Sequence, residues 1–331
     1  PTLQGWIDTA THTLAGDPQL DADDHMVAEL RRLPLGDLCS LGFEAAMASI
    51  RSARPIELKV PEIGKDVDIY VKYEGLNPTG SFKDRGMTRA FVERFKEAKY
   101  TALCLTVDTP VAGNRERDNY YGMMATAKPA LRSVPSMLRH PGWLYRAVVR
   151  KDMELVNITQ AEDGPQFTDM SVKDFIDSQF DRSLTWKDVE WLAGEWGGPL
   201  IIKGVQTVED CRHAADAGAT AVMLSNHGGR QLEGSPAPVD CVAAVADALR
   251  DRLEIICDGG IRRGTHIVKA LALGANACSI GRAYLYPLAA GGQRGVERGL
   301  GLLRDEMSRS MALIGCNSIA GIDGRHIQKR V

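Results

Sequence analysis

The sequence predicts an α/β fold, a (β/α)8 TIM barrel that is atypical in its first units, and three observations carry that prediction. Short apolar runs alternate with helical patterns through the C-terminal half. Every run ends in polar residues suited to chemistry, and glycines and arginines cluster after the last two runs. Buried parallel strands read as near-continuous apolar stretches, because they are covered on both faces. Repeated βα units fit a doubly wound sheet or a barrel. The polar ends decide between them, since a barrel gathers all its strand ends around one pocket and an open sheet spreads them along an edge.

In order, the strands fall at Leu103–Val107, Pro199–Ile202, Ala221–Leu224, Leu253–Cys257 and Ala277–Ile280. Thr106 and Asp108 close the first, Lys203 the second and Ser225-Asn226-His227 the third. Asp258-Gly259-Gly260 and Gly281-Arg282 close the last two. The spacing predicts helices over Thr207–Ala217, opened by Thr207 and stopped by Gly218, then over Val239–Leu249 and Thr265–Leu273. A final helix spans roughly Gly295–Ile314. Near the start, Gly36–Ser52 reads as a helix and Ile56–Val60 and Asp68–Val71 as short strands, behind the acidic stretch Asp17–Glu29. Residues 1–81 form an atypical segment that replaces or compresses the first βα units, and 82–331 form the barrel. At roughly 30 residues per unit, two units need about 60, so the residues before Asp68 hold them with nothing to spare.

The rhythm breaks at about 119–183, which is too long for a plain βα connection. Asn119–Lys151 carries Lys128, Arg132, Arg139, Arg146, Arg150 and Lys151 without one acidic residue, interleaved with Pro135, Leu138, Trp143, Leu144 and Tyr145. This composition suits peripheral attachment of 126–151 to an anionic membrane surface, or a solvated lid over the pocket.

Of 331 residues, 44% are hydrophobic and 25% charged, with a net charge of -3, the balance of a soluble globular protein. Near-zero charge argues against a nucleic-acid partner. No run of about 18 residues is free of charge, which excludes a transmembrane helix. Pro1-Thr2-Leu3 opens no secretory signal, and the cytoplasm is the expected location. The 7 cysteines (Cys39, Cys104, Cys211, Cys241, Cys257, Cys278 and Cys316) include no CxxC pair and read as buried free thiols, and no metal is expected.

Three constellations carry chemistry. In Ser225-Asn226-His227-Gly228-Gly229-Arg230-Gln231, a histidine precedes two glycines that let backbone approach a ligand, and an arginine follows three residues on. A base beside a cation suits a substrate with a removable proton and a carboxylate. Asp108 leaves its strand toward the same pocket and orients the imidazole. Arg115 supplies a second carboxylate ligand or pairs at the surface with Glu116 or Asp118. Asp258-Gly259-Gly260-Ile261-Arg262-Arg263-Gly264 and, later, Gly281-Arg282 form a phosphate site with a short helix N-terminus behind them. Lys203 sets a positive charge against a cofactor ring or forms a structural ion pair.

Together these blocks resemble the FMN-dependent α-hydroxy-acid oxidases and dehydrogenases, the family of glycolate oxidase and the L-lactate and mandelate dehydrogenases, from about Phe82 to Ala320. Phe82–Gly86, Leu184–Asp188, Ile202–Val205 and Met311–Ile319 add to the match. The resemblance implies bound FMN, oxidation of a 2-hydroxy acid to the 2-oxo acid, a quinone or oxygen as electron acceptor, and a homo-oligomer, a tetramer by family likeness. It makes His227 the base, Asp108 its partner, and Arg115 and Arg230 the carboxylate clamp. Thr106, Lys203 and Ser225 fall at flavin-ring positions and Asp258 at the ribityl contact. Gly259, Gly260, Arg262, Gly281 and Arg282 fall in the phosphate motif. With Asp68–Val71 as the third strand, Tyr70 is the substrate-side tyrosine. Leu138–Leu144 is similar to the loop of membrane-associated dehydrogenases that use quinones, which favours dehydrogenase over oxidase.

Two other readings attach to the front. Lys72–Met87 resembles threonine synthase and related pyridoxal-phosphate enzymes, with Lys83 as the Schiff-base lysine, yet no Ser-x-Gly-Asn loop follows. A recombinant or remnant joined at shared sequence would bind FMN or phosphate without catalysis.

Overall fold

The apolar runs pair side by side, all in one direction. The computed structural model describes residues 85–111, 113–114, 116, 134–139, 141, 145 and 182–328. Its strands are β1 (Leu103–Thr106), β2 (Leu200–Val205), β3 (Ala221–Ser225), β4 (Glu254–Asp258) and β5 (Ala277–Ser279). They form one 5-stranded sheet in the order β1-β2-β3-β4-β5, parallel throughout. An order that never reverses is a barrel wall, because a doubly wound sheet turns back at a switch point. Gly36–Ser52, Ile56–Val60, Asp68–Val71, the boundary at 81 and most of 119–183 lie outside the described residues.

Helices α1 (Arg85–Glu97), α2 (Val134–Leu138) and α3 (Trp186–Trp196) precede β2, and α4 (Val208–Asp216), α5 (Pro238–Leu249) and α6 (Gly264–Ala272) link the later strands. Their starts follow local chemistry. Thr207 Oγ1 accepts the Asp210 N–H at 3.0 Å, Pro238 opens α5, and Thr185 with Asp188 makes a capping box for α3. Leu200, Ile202, Val222, Leu224, Ile255 and Cys257 from the strands are almost wholly buried in one cluster with Val189, Leu192, Val242, Val245 and Ala246 from the helices. Each of the buried valines, leucines and isoleucines contributes about 1.5–3 kcal/mol on burial. Arg89 ties α1 to α3 through Glu195 at 2.7 Å and lies over the Trp191 ring.

The six described cysteines form no disulfide, and burial pushes the Cys211 and Cys278 thiols up to about 12 and Cys257 up to about 11. These three are protonated packing groups at neutral pH.

The last helix differs from expectation. α7 (Arg282–Leu313) begins well before Gly295, and Gly291 and Gly292 break it into 282–290 and 293–313. Pro287 and the repeated glycines mask the helical period in sequence. They serve packing instead, since Gly299 lets the second half lie on the Pro287 ring. The second half also crosses the start of α6 so closely that a Cβ on Gly264 would overlap the Met307 nitrogen and the Leu303 carbonyl. At this crossing Glu306 accepts the Gly264 N–H at 2.9 Å and pairs with Arg263. Beyond it, Cys316 and Ile322 pack with Val268 and Ala272 of α6 and with Met307 and Met311.

Gly264→Ala sets a methyl group against backbone rather than against a yielding side chain. We expect it to lower stability by at least the roughly 1–3 kcal/mol of overpacking, read as a shifted denaturant midpoint. A midpoint equal to wild type would contradict the close crossing of α6 and α7.

Candidate active site

The site begins with a buried charge. Lys203, in the second half of β2, is 4% exposed, and its Nζ lies 3.6 Å from Asp258 Oδ2 at the end of β4. A buried ammonium costs several kcal/mol without a counter-charge, so the two strands are electrostatically joined. Ser225 Oγ, at the end of β3, donates to the same Asp258 oxygen at 2.7 Å and accepts the His227 N–H at 3.0 Å. Ser225 is 1% exposed. Its hydroxyl thus locks His227 to Asp258, a role that its expected place at a flavin ring did not anticipate.

From that anchor the chain makes a sharp turn. His227 (φ 55°), Gly228 (φ 67°) and Gly229 (φ 74°) are all left-handed, a run that two glycines permit and that strains the histidine. Asn226 braces the turn by accepting the Gly229 N–H at 3.2 Å and donating to Pro236 O at 3.3 Å. The turn presents the His227 ring to β1, with Nδ1 3.2 Å from Asp108 Oδ1 and 3.3 Å from Oδ2. A carboxylate on Nδ1 fixes the tautomer and leaves Nε2 to meet a substrate. The pair is partly open, with side chains 22% and 12% exposed.

Two residues that position this pair carried no role in the sequence reading. Gly204, at a register shift in β2, has φ 105°, and a Cβ there would sit 2.6 Å from both Cβ and Cγ of Asp108. A glycine inside a strand pattern signals a bulge or a close backbone approach, and here it is both. Gln231 Nε2 donates to Asp108 O at 2.8 Å and to Val111 O at 3.2 Å, so the β3 loop holds the β1 loop. Gln231 was visible only as part of a longer motif.

At the other side, Arg282 Nη2 donates to Gly228 O at 2.7 Å, joining the β5 end to the histidine turn. Two helix starts lie here, and they are not equivalent. At the α6 start Glu306 takes the first N–H, that of Gly264. The α7 start has no acidic residue in its first turn and no side-chain cap, and nothing lies within 4 Å of a Cβ placed on Gly281 or Gly260. The bare α7 end, rather than α6, is therefore the one suited to an anion. Thr106 pairs in register with Lys203, and Gly259 lies against Pro238 and Asn226. Arg230 and Arg262 are exposed at the rim. Tyr70, Lys83 and Arg115 lie outside the described residues.

Sequentially ordered parallel strands with polar residues at or next to their C-terminal ends, followed by an open helix start, define a barrel enzyme of the kind suited to an anionic ligand. The chain belongs to the FMN-dependent dehydrogenase family, whose model matches residues 79–329. That span includes Lys83 and the Phe82–Gly86 motif, which places this stretch in the flavin family.

Relatives agree. An L-lactate dehydrogenase of Xanthomonas campestris pv. campestris (strain B100) is 40% identical over 279 residues, covering 82% of this chain and 68% of the relative. An L-lactate dehydrogenase of Vibrio cholerae serotype O1 (strain M66-2) is 39% identical over 285 residues, covering 84% and 71%. The solved monotopic membrane protein (S)-mandelate dehydrogenase superposes with a TM-score of 0.67 at 34% identity, over 74% of this chain and 65% of that one. Flavocytochrome b2 with pyruvate bound gives 0.55 at 35% identity, over 72% and 51%. The chain thus spans about two thirds of the length of its curated relatives and half to two thirds of these solved chains. The fold class is the (β/α)8 TIM barrel, and the described strands are five consecutive members of its wall.

Gly204→Ala should push Asp108 off the His227 ring. A misplacement near 1 Å at a catalytic group costs about a hundredfold in rate, so turnover with hydroxy acid should fall by about that factor while circular dichroism stays unchanged. Full turnover in this variant would remove Gly204 from the site's construction.

Proposed function

We propose that the chain oxidises an L-2-hydroxy acid, lactate- or mandelate-like, to the 2-oxo acid, using FMN and passing electrons to a quinone or to oxygen. The His227–Asp108 pair, held above the buried Lys203–Asp258 pair, is the observation that carries the reading. The names of the relatives, L-lactate dehydrogenase and (S)-mandelate dehydrogenase, support the substrate class.

His227 takes a proton from the substrate at Nε2, and Asp108 balances the charge that the ring then carries. Arg230 and Arg115 hold the substrate carboxylate by charge-assisted hydrogen bonds, and Tyr70 stands on the substrate side. FMN, when bound, supplies the two-electron acceptor. The residues present fit it: Gly260 and Gly281 face open space beside the uncapped α7 start, so Gly259, Gly260, Arg262, Gly281 and Arg282 would hold its phosphate, Asp258 would suit its polyol, and Thr106, Lys203 and Ser225 at the strand ends would serve its ring. Residues 1–81 replace or compress the first barrel units, 82–331 form the FMN-binding barrel with its inserted loop at about 119–183, and the chain assembles as a homo-oligomer.

The basic segment 126–151 is the proposed peripheral membrane contact. Among its described residues Leu138 is 67% and Tyr145 56% exposed, and the mandelate dehydrogenase neighbour is a monotopic membrane protein. No described helix is long and apolar enough to cross a membrane.

His227→Gln should retain FMN, seen as a two-band yellow spectrum, yet lose at least about a hundredfold in the rate of flavin reduction by L-lactate or L-mandelate. Undiminished reduction would remove His227 as the base, and a wild-type chain without the flavin spectrum would sink the whole reading. For the membrane contact, wild type should sediment with vesicles containing anionic lipid, and Leu138→Asp should sediment markedly less. Equal sedimentation of the two, or none by wild type, would refute it.

A further inference from the structure

The loop after β4 has to hold an unusual shape without the first backbone N–H of the helix behind it. Gly260 is left-handed (φ 74°), Ile261 is 6% exposed and anchored in the core, and Arg262 returns to the surface. Glu306 already occupies the α6 N-terminus, through Gly264 N–H and Arg263. That end therefore offers the loop no free donor at Gly264.

One side chain does bridge it. His266, in the first turn of α6, places Nδ1 3.1 Å from Gly260 O and 3.3 Å from Arg262 N. The two flank Ile261, so a single ring atom faces both ends of the turn. With its proton on Nε2 the ring accepts the Arg262 N–H, and with its proton on Nδ1 it donates to Gly260 O. Either arrangement ties the loop to α6. The loop's Gly260 faces open space, as Gly281 does.

We propose that His266 is a positioning residue for phosphate binding, fixing the Gly260–Arg262 backbone in the shape that receives the phosphate of FMN. The proposal rests on the FMN reading above and adds to it a residue that touches the loop rather than the ligand. It depends on a hydrogen-bonding atom at the δ position of the side chain, not on positive charge. Asparagine carries such an atom at the same distance from the backbone, glutamine carries it one methylene further out, and alanine has none.

The test is a titration of FMN and of riboflavin, followed by flavin fluorescence quenching, into full-length wild type and the variants His266→Ala, His266→Asn and His266→Gln. Riboflavin lacks the phosphate, so comparing the two ligands isolates the phosphate end. The Ala and Gln variants should bind FMN roughly three- to tenfold more weakly, the scale of one net hydrogen bond, with riboflavin affinity unchanged and the Asn variant close to wild type. A thermal melt checks that each variant is folded, and the Asn–Gln comparison decides the matter if the Ala variant is not. Equal FMN affinity for wild type and the Ala and Gln variants overturns the proposal. So does an equal loss of riboflavin affinity, or an Asn variant that falls with the Gln variant. Wild type that binds FMN no better than riboflavin is a separate outcome, visible before any variant, and it overturns the phosphate reading and this proposal together.

Discussion

The buried ammonium of Lys203 is the constraint from which the rest of the site follows. At 4% exposure it has lost nearly all its water, and Asp258, 3.6 Å away, is the counter-charge across the sheet. Removing one partner of a buried charge pair typically costs about 3–5 kcal/mol. The same Asp258 oxygen accepts the Ser225 hydroxyl. Ser225 in turn accepts the His227 N–H. The position of the proposed base thus traces back, through two hydrogen bonds, to a charge pair two strands wide. The fold places these groups together because the strands run parallel and in order, so their C-terminal ends share one level.

Above that level the site stands on loops, which are ordinarily the mobile parts of a barrel. Here side chains reach across to neighbouring backbone. Gln231 donates to Asp108 O and Val111 O, Gln206 to Pro236 O, and Arg282 to Gly228 O. Each bond contributes only about 0.5–1.5 kcal/mol net, which is minor for global stability. Their effect is geometric. Every one ties a loop from one strand to the loop of another, so His227 and Asp108 are held relative to each other and not merely to their own strands.

How much of this was legible follows from the range of the interactions. All five described strands and the helices α4, α5 and α6 were readable within a residue or a few, because local pattern and caps such as Thr207 set them. The polar strand ends pointed to His227, Asp108, Lys203, Ser225 and Asp258 as residues around one pocket, and the fold brings Asp108 to His227 and Lys203 and Ser225 to Asp258. The 282–290 half of α7 was missed, since Pro287, Gly291 and Gly292 read as loop while tertiary packing makes them a helix and its break. Gly204 was visible as a glycine in a strand, but its partner is reached only through the folded sheet. Glu306 was beyond reach: nothing in sequence links it to Gly264, and only the crossing of α6 and α7 brings them to 2.9 Å.

Glu306 also explains why adjacent helix starts diverge in use. Each helix N-terminus carries about half a positive charge and unsatisfied N–H groups, so a barrel with two such ends near one pocket has two competing places for an anion. The chain fills one from within. Glu306 takes the α6 end and binds Arg263, which makes that end part of the framework and removes it from the competition. The α7 end is left with no acid in its first turn and open space at Gly281. A single internal carboxylate therefore does two things at once: it clamps the last helix onto the barrel, and, of these two described helix starts, it leaves the α7 end as the one open to the proposed phosphate. On this argument the specificity of the anion site lies as much in the position that is closed as in the one that is open.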